Sequence, residues 1–260
     1  MSIPQRAIIT GASSGIGAAL ARLLSQQGVA LGLMARRGDL LDDLVRTLPS
    51  PAIALPCDVA DATAVSAAVR RGEEALGGSF DLAVANAGVG IPSHATKFNL
   101  QDATTMIRVN VLGMFHLFDA VIPGMVERRG GHFAGIASVA GLRGLPTSSV
   151  YSASKSAMQS FLEASRIELA PYGVAVTTVN PGFVATPMTE KNRFRMPFLM
   201  GTDQAARIIA RGLERKARVV EFPLPMSLLM RMVRLLPDAV FERLTGPYSR
   251  RKVDSERAKR

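Results

Sequence analysis

Short, almost wholly apolar runs alternate along this chain with longer segments whose apolar residues recur every three or four positions. The short runs are Ala7–Thr10, Ala30–Met34, Ile53–Leu55, Leu82–Ala85, Phe133–Ala137 and Val174–Val179. They lack the polar alternation of a half-exposed strand, so they are predicted to be strands buried on both faces. Between them Gly15–Gln27, Gly38–Thr47, Asp61–Leu76, Leu100–Arg129 and Ser149–Tyr172 carry helical periodicity. A further helix is expected to start near a Thr202-Asp203 cap and to lead into a seventh strand at Arg218–Phe222. Strand and helix in regular succession fold most simply as α/β: a parallel, doubly wound sheet of about seven strands with helices on both faces. No internal repeat and no linker interrupts the series, which predicts a single domain over 1–260.

The turn after the first strand reads Thr10-Gly11-Ala12-Ser13-Ser14-Gly15-Ile16-Gly17 and opens the first helix. Glycines allow a tight turn and close backbone approach, and a helix N-terminus offers free N–H groups and partial positive charge to a pyrophosphate. Gly11, Ser13, Ser14, Gly15, Ile16 and Gly17 are therefore candidate dinucleotide-binding residues, with a Gly-x3-Gly-x-Gly spacing that departs from the commoner Gly-x-Gly-x2-Gly. A carboxylate at the end of the second strand would hold both ribose hydroxyls and repel a 2′-phosphate. Here the chain reads Met34-Ala35-Arg36-Arg37. Guanidinium groups bind a phosphate by paired, charge-assisted hydrogen bonds, so Arg36 and Arg37 favour NADP(H) over NAD(H). Asp39 lies farther along and is expected to face solvent.

Ser138 follows the fifth strand, Tyr151 comes thirteen residues later, and Lys155 lies four beyond it. On a helix, Tyr151 and Lys155 share a face about one turn apart. A phenol near pKa 10 is a poor base at neutrality, but a nearby ammonium and a cationic nicotinamide would favour its anion and lower that value. Tyr151 could then exchange a proton with a carbonyl or alcohol oxygen as hydride moves, with Ser138 holding that oxygen.

Together these motifs resemble the short-chain dehydrogenase/reductase family over residues 6 to about 190. The resemblance implies a Rossmann-type catalytic domain and an Asn110–Ser138–Tyr151–Lys155 tetrad, with Asn110 kinking the long helix and holding a water in a proton relay from Lys155. Cys57-Asp58-Val59 is similar to the segment whose Asp meets adenine, and Asn86-Ala87-Gly88 to the turn after strand four, although Ala85 stands where an Asn is often seen. In Asn180-Pro181-Gly182-Phe183-Val184-Ala185-Thr186 the resemblance implies that Pro181, Gly182, Val184 and Thr186 close over the nicotinamide. It also implies a homodimer or homotetramer built on the helices around 100–129 and 149–172. The function implied is hydride transfer between NADP(H) and a carbonyl/secondary alcohol pair. A protein that binds NADP(H) for regulation or scaffolding without turnover is the alternative.

Composition adds three points. With 48% hydrophobic and 20% charged residues the chain is ordinary globular material, neither collagen-like nor disordered. The lone Cys57 excludes an internal disulfide, no metal-ligand cluster is expected, and a reducing, cytoplasmic setting fits. No 18-residue uninterrupted apolar stretch and no signal peptide is read. Charge is uneven: residues 1–190 hold 14 Lys+Arg and 14 Asp+Glu, while 191–260 hold 17 and 7. The basic portion contains a Met/Phe-rich lid at about 187–202, with Lys191, Arg193 and Arg195, which favours a lipophilic small-molecule substrate with an anionic group tolerated. Beyond it an extension, about 223–260, has a broad apolar surface at 226–236 and a basic run at Arg250-Arg251-Lys252. That end could contact a membrane peripherally, cover the substrate cleft or pack on a second subunit. No nucleic-acid reading module is visible, and none is expected as a partner.

Overall fold

Strands apolar on both faces can be satisfied only between two layers of helix, and the computed structural model, which describes residues 4–190, 192 and 194–246, has that construction. The strands are β1 (Arg6–Thr10), β2 (Ala30–Ala35), β3 (Ala52–Pro56), β4 (Leu82–Ala85), β5 (Gly131–Ile136), β6 (Val174–Pro181) and β7 (Val219–Phe222). All neighbours pair in parallel, in the order β3-β2-β1-β4-β5-β6-β7. The helices are α1 (Gly15–Gln26), α2 (Gly38–Arg46), α3 (Ala62–Ala75), α4 (Leu100–Ile107), α5 (Gly113–Glu127), α6 (Ser149–Leu169), α7 (Thr202–Glu214) and α8 (Leu224–Leu235). Helix resumes at 238–246. The expectations for Lys191, Arg193 and 250–252 fall outside the described residues.

Strand alternation sends successive side chains to opposite helical layers. Ile9, Leu31 and Leu33 join Leu20, Leu24, Leu41 and Ile209 in one core, while Ile8, Met34 and Phe133 join Val65, Leu117, Met158 and Leu162 in the other. β1 lies between β2 and β4, so chain progression reverses there. In such sheets a crevice opens at the carboxyl ends of the strands at that reversal, and this is where ligands bind.

Two expected elements differ in detail. The helix predicted over Leu100–Arg129 is interrupted, at the Asn110 where the resemblance implies a kink, by a π-helical turn, Arg108–Leu112, with the buried Asn110 side chain bonded to Val89 and Ser154. By length and composition the whole Leu100–Glu127 span could cross a bilayer. It packs instead beside the sheet, with Phe118 edge-on to Phe133 of β5 and to Phe161 of α6 at ring separations of 5.0 and 4.9 Å. The expected Thr202-Asp203 cap is also displaced: Gly201 is the N-cap of α7, without a side-chain cap, and Asp203 acts only as a negative charge in the first turn.

Under β5 a buried polar pair makes the fold pH-sensitive. The Thr177 hydroxyl donates to the Ala217 carbonyl at 2.6 Å, so it accepts from His132 Nε2–H at 2.8 Å. Burial, aided by the Lys216 charge, lowers the His132 pKa to about 4 from 6.5. The folded chain thus disfavours the imidazolium that the unfolded chain accepts. Stability from this site is complete above pH 6.5 and is lost as pH falls from 6.5 towards 4, by at most about 3 kcal/mol. Denaturant unfolding across that interval should show the loss in the native protein and a flatter profile in His132→Gln, which keeps a donor for Thr177 without titrating.

Candidate active site

The glycine turn after β1 is shaped by a residue 75 positions away. Asn86, just beyond β4, donates through Nδ2 to the carbonyls of Thr10 (2.9 Å) and Gly11 (3.2 Å). The Thr10 hydroxyl in return accepts the N–H groups of Asn86 and Ala87, each at 3.0 Å. Gly11 has φ +67, and a Cβ there would stand 2.8 Å from Ala87 Cα; a Cβ on Gly17 would stand 2.5 Å from Asn86 Nδ2 and from the Gly11 carbonyl. Both positions therefore require glycine, Gly11 for its backbone and Gly17 for its proximity.

A cavity of about 580 Å³ runs from this turn along the carboxyl ends of the strands. Of the residues selected by sequence, Gly11, Ser13, Ser14, Gly15, Ile16, Arg36, Arg37, Asp58, Val59, Asn86, Ala87, Gly88, Ser138, Tyr151, Lys155, Pro181, Gly182, Val184 and Thr186 all line it. Gly17 and Asn110 do not. Gly17 packs behind the turn, and Asn110 is fully buried, its Oδ1 accepting from Val89 N–H at 2.8 Å and its Nδ2 donating to Val89 O and Ser154 Oγ at 3.0 Å each. Asn110 thus holds the 88–91 loop that forms one wall.

The cavity suits a dinucleotide in two respects that its own residues show. Ser14 occupies the N-cap of α1 without capping the helix; its hydroxyl, with that of Ser13, accepts from the Arg37 guanidinium at 2.9 Å. The first N–H groups of α1 thus lack the usual side-chain acceptor, as an anion site requires. Thr186 lies against the same turn, its Cγ2 3.1 Å from where a Gly15 Cβ would be. At the rim Arg36 and Arg37 are exposed, and Asp39 is exposed and off the wall.

At the other end, Ser138 is the N-cap of a 3-10 turn, Val139–Gly141, and its Oγ donates to Pro181 O at 3.3 Å and accepts from Ala140 N–H at 3.1 Å. Tyr151 and Lys155 stand on the first two turns of α6. Lys155 Nζ donates to Ile136 O at 2.8 Å and lies 5.8 Å from the Tyr151 ring centroid. The expected depression of the Tyr151 pKa rests on a nicotinamide cation as well as on Lys155; from the protein's own groups alone the direction is upward. Burial pushes the phenol up, and its hydrogen bond with Ser138 offsets only part of that rise. The same burial lowers Lys155 to about 8. The Tyr151 phenol is thus kept protonated, beside the serine and lysine that would stabilise its anion. Cys57, also on the wall, is raised to about 11 by burial and then by Asp58 and Asp61, so it remains a thiol rather than a nucleophile.

Sequence reading placed Met188 in the lid without its contact, and missed Gln159. Met188 Sδ and Tyr151 Cε2 lie 3.3 and 3.6 Å from a Cβ placed on Gly90, so the first part of the lid faces the phenol across this glycine. Gln159, two turns beyond Tyr151, donates through Nε2 to Ser138 O and to Asn180 Oδ1, both at 2.8 Å, and so fixes the Ser138 backbone. Its i+8 spacing on the same helical face was the available signal.

The family model described as short chain dehydrogenase matches residues 5–196. An oxidoreductase of Myxococcus xanthus is 38% identical over 91% of this chain and 94% of its own length. One from Staphylococcus epidermidis is 37% identical over 72% of this chain and 81% of its own. Among solved structures, a short chain dehydrogenase/reductase from Burkholderia phymatum in complex with NAD superposes with a TM-score of 0.82 at 25% identity, covering 89% of this chain and 94% of that one. A 3-ketoacyl-(acyl-carrier-protein) reductase from Brucella melitensis complexed with NADH gives 0.79 at 25% identity, covering 86% and 98%. With these matches spread over the strands, the glycine turn and the Ser–Tyr–Lys corner described above, the chain belongs to the short-chain dehydrogenase/reductase family of oxidoreductases.

Proposed function

We propose that the protein is an NADP(H)-dependent reductase of hydrophobic ketones, and in reverse a dehydrogenase of the matching secondary alcohols. The observation that carries the cofactor choice is the rim after β2, where Arg36 and Arg37 line the cavity and no carboxylate takes their place. The similar structures named above contain NAD or NADH, which supports a nicotinamide cofactor; the arginine pair supports the extra phosphate. Arg37, already bonded to both serines of the turn, would also brace the pyrophosphate site.

A bound nicotinamide supplies hydride to the carbonyl carbon or accepts it from the alcohol. Ser138 and Tyr151 hold the substrate oxygen between two hydroxyls, and Tyr151 donates its proton as negative charge develops there. The raised phenol pKa keeps that proton in place beforehand, while the Lys155 ammonium stabilises the phenolate left behind. Asn110 and Gln159 act through the loops they hold, at Val89 and Ser138 respectively. Met188 facing Tyr151, with Ile91 on the same wall, favours an apolar substrate over a free sugar. The outward apolar residues of α4 and α6, including Leu100, Ile107 and Ile167, support a homo-oligomer formed across those helices. The single free, buried cysteine suits a cytoplasmic setting.

Replacing Arg36 by Asp removes a charge-assisted contact and adds repulsion, so the NADPH dissociation constant should rise about 10- to 100-fold with NADH little changed. Calorimetric titration of both cofactors tests this, and an unaltered NADPH preference would refute the phosphate role. Tyr151→Phe should lower kcat at least about 100-fold while NADPH still binds; retained turnover on a broad ketone panel would exclude Tyr151 as the acid. Since the Lys155 ammonium is lost as pH rises through about 8, ketone reduction should decline above that pH. Lys155→Met should be slower at neutrality and lack that decline, as pH–rate profiles at saturating NADPH would show.

A further inference from the structure

The last helix is apolar on two opposite sides. Its inner side places Met226 and Met230 against Val139, Leu142 and Phe183, next to the Ser138 turn. Its outer side presents Leu224, Leu228, Leu229, Met232 and Leu235, which are between 46% and 83% exposed. The spacing of 224, 228, 232 and 235 puts those four on a single stripe about 18 Å long. A stripe of that kind on a surface helix marks a contact with something apolar.

The flanks say which contact. Arg234 and Arg243 are exposed, on α8 and on the helix that resumes at 238, while Arg231 is paired with Glu221 and Asp238 with Arg143. Within 224–246 the charged residues are Arg231, Arg234 and Arg243 with Asp238 and Glu242, and the remainder of the positive surplus of 191–260 lies on other segments. A protein partner would need an apolar groove matching the whole row as well as acidic groups at its edge. A bilayer bearing anionic headgroups satisfies both at once, with leucines among the acyl chains and arginines at the phosphates.

The segment is also held firmly enough to transmit its position. Arg143 donates to Arg234 O at 3.2 Å and to Asp238 Oδ1 at 2.6 Å, and its guanidinium lies 4.7 Å from the Phe241 ring centroid. The inner face of α8 meets Phe183, whose ring is 5.8 Å from that of lid residue Phe194. We propose that the outer face of α8 seats the protein on anionic membrane surfaces. The docking stands independently of the reductase assignment; where that assignment holds, it brings the lid beside a lipid-dissolved substrate.

Flotation of the full-length protein with phosphatidylcholine vesicles, with and without phosphatidylglycerol, tests the proposal without relying on turnover. The protein should float with the anionic vesicles, and added salt should weaken the binding. Leu228→Asp combined with Met232→Asp should reduce the bound fraction about tenfold, with thermal unfolding and NADPH binding unchanged; Arg234→Glu with Arg243→Glu should do the same through charge. Failure of the native protein to float overturns the docking while leaving the reductase assignment intact. So does undiminished flotation of the Leu228/Met232 variant, which would place any binding elsewhere, such as the basic run at 250–252. Sedimentation in the absence of lipid covers the remaining occupant: a native oligomer that the Leu228/Met232 variant dissociates would mean that a second copy covers the stripe.

Discussion

The cofactor half of this molecule depends on the contact between the glycine turn after β1 and the Asn86 side chain after β4. One amide donates to two successive carbonyls, and one hydroxyl, on Thr10, accepts two N–H groups from the other side. Four hydrogen bonds thus close the gap between neighbouring strands at the point where chain progression reverses. Elsewhere a turn so tight would need only local glycine freedom. Here it also needs a near-absence of atoms, since Gly11 and Gly17 each face backbone or amide at distances no side chain could share. With the turn drawn towards β4, the start of α1 faces the cavity rather than the core, and its N-cap hydroxyl is free to join Arg37. Phosphate recognition and strand packing are consequences of one arrangement.

The sheet and most of the cavity wall were legible in the sequence because they arise from local rules. Doubly buried strands announce themselves as apolar runs, and a parallel sheet places the loops after those strands together whatever their length. What was illegible depends on partners distant in sequence. Nothing near Asn110 reveals that its amide is committed to Val89 and Ser154, which makes it a support behind the wall. Nor does a Tyr-x3-Lys spacing disclose that Lys155 is buried and Tyr151 partly so. The expectation of an acidified phenol followed from charge alone, whereas burial acts on both residues in the opposite sense, raising Tyr151 and lowering Lys155.

The upward shift bears on the proton-donating half of the proposed reaction. A phenol already ionised would be prepared to accept a proton from an alcohol. One held protonated is prepared to give a proton to a carbonyl, provided that the anion it leaves has support close by. Ser138 contributes part of that support, and its own place is fixed from behind by Gln159. The bonds continue outward: Gln159 to Asn180, Asn180 Nδ2 to Glu221 at 3.1 Å, and Arg231 to the second Glu221 oxygen at 2.8 Å. The backbone of Ser138 is therefore connected, through side chains alone, to an arginine on α8.

This connection gives the uneven charge of the chain a structural place. The basic surplus might have been a frayed end with no bearing on the site. Instead one of its arginines ends the hydrogen-bonded series that begins at Ser138, and Arg143, two residues past the Ser138 turn, grips the 234–241 segment from the other side. Exposed ion pairs such as Arg231–Glu221 contribute little stability by themselves. Their value here is directional, because Glu221 has a buried amide on one oxygen and the extension on the other. Any surface that competes for Arg231, a phosphate layer included, would loosen the outer end of that series and leave its inner end, at Gln159 and Ser138, held by neutral hydrogen bonds.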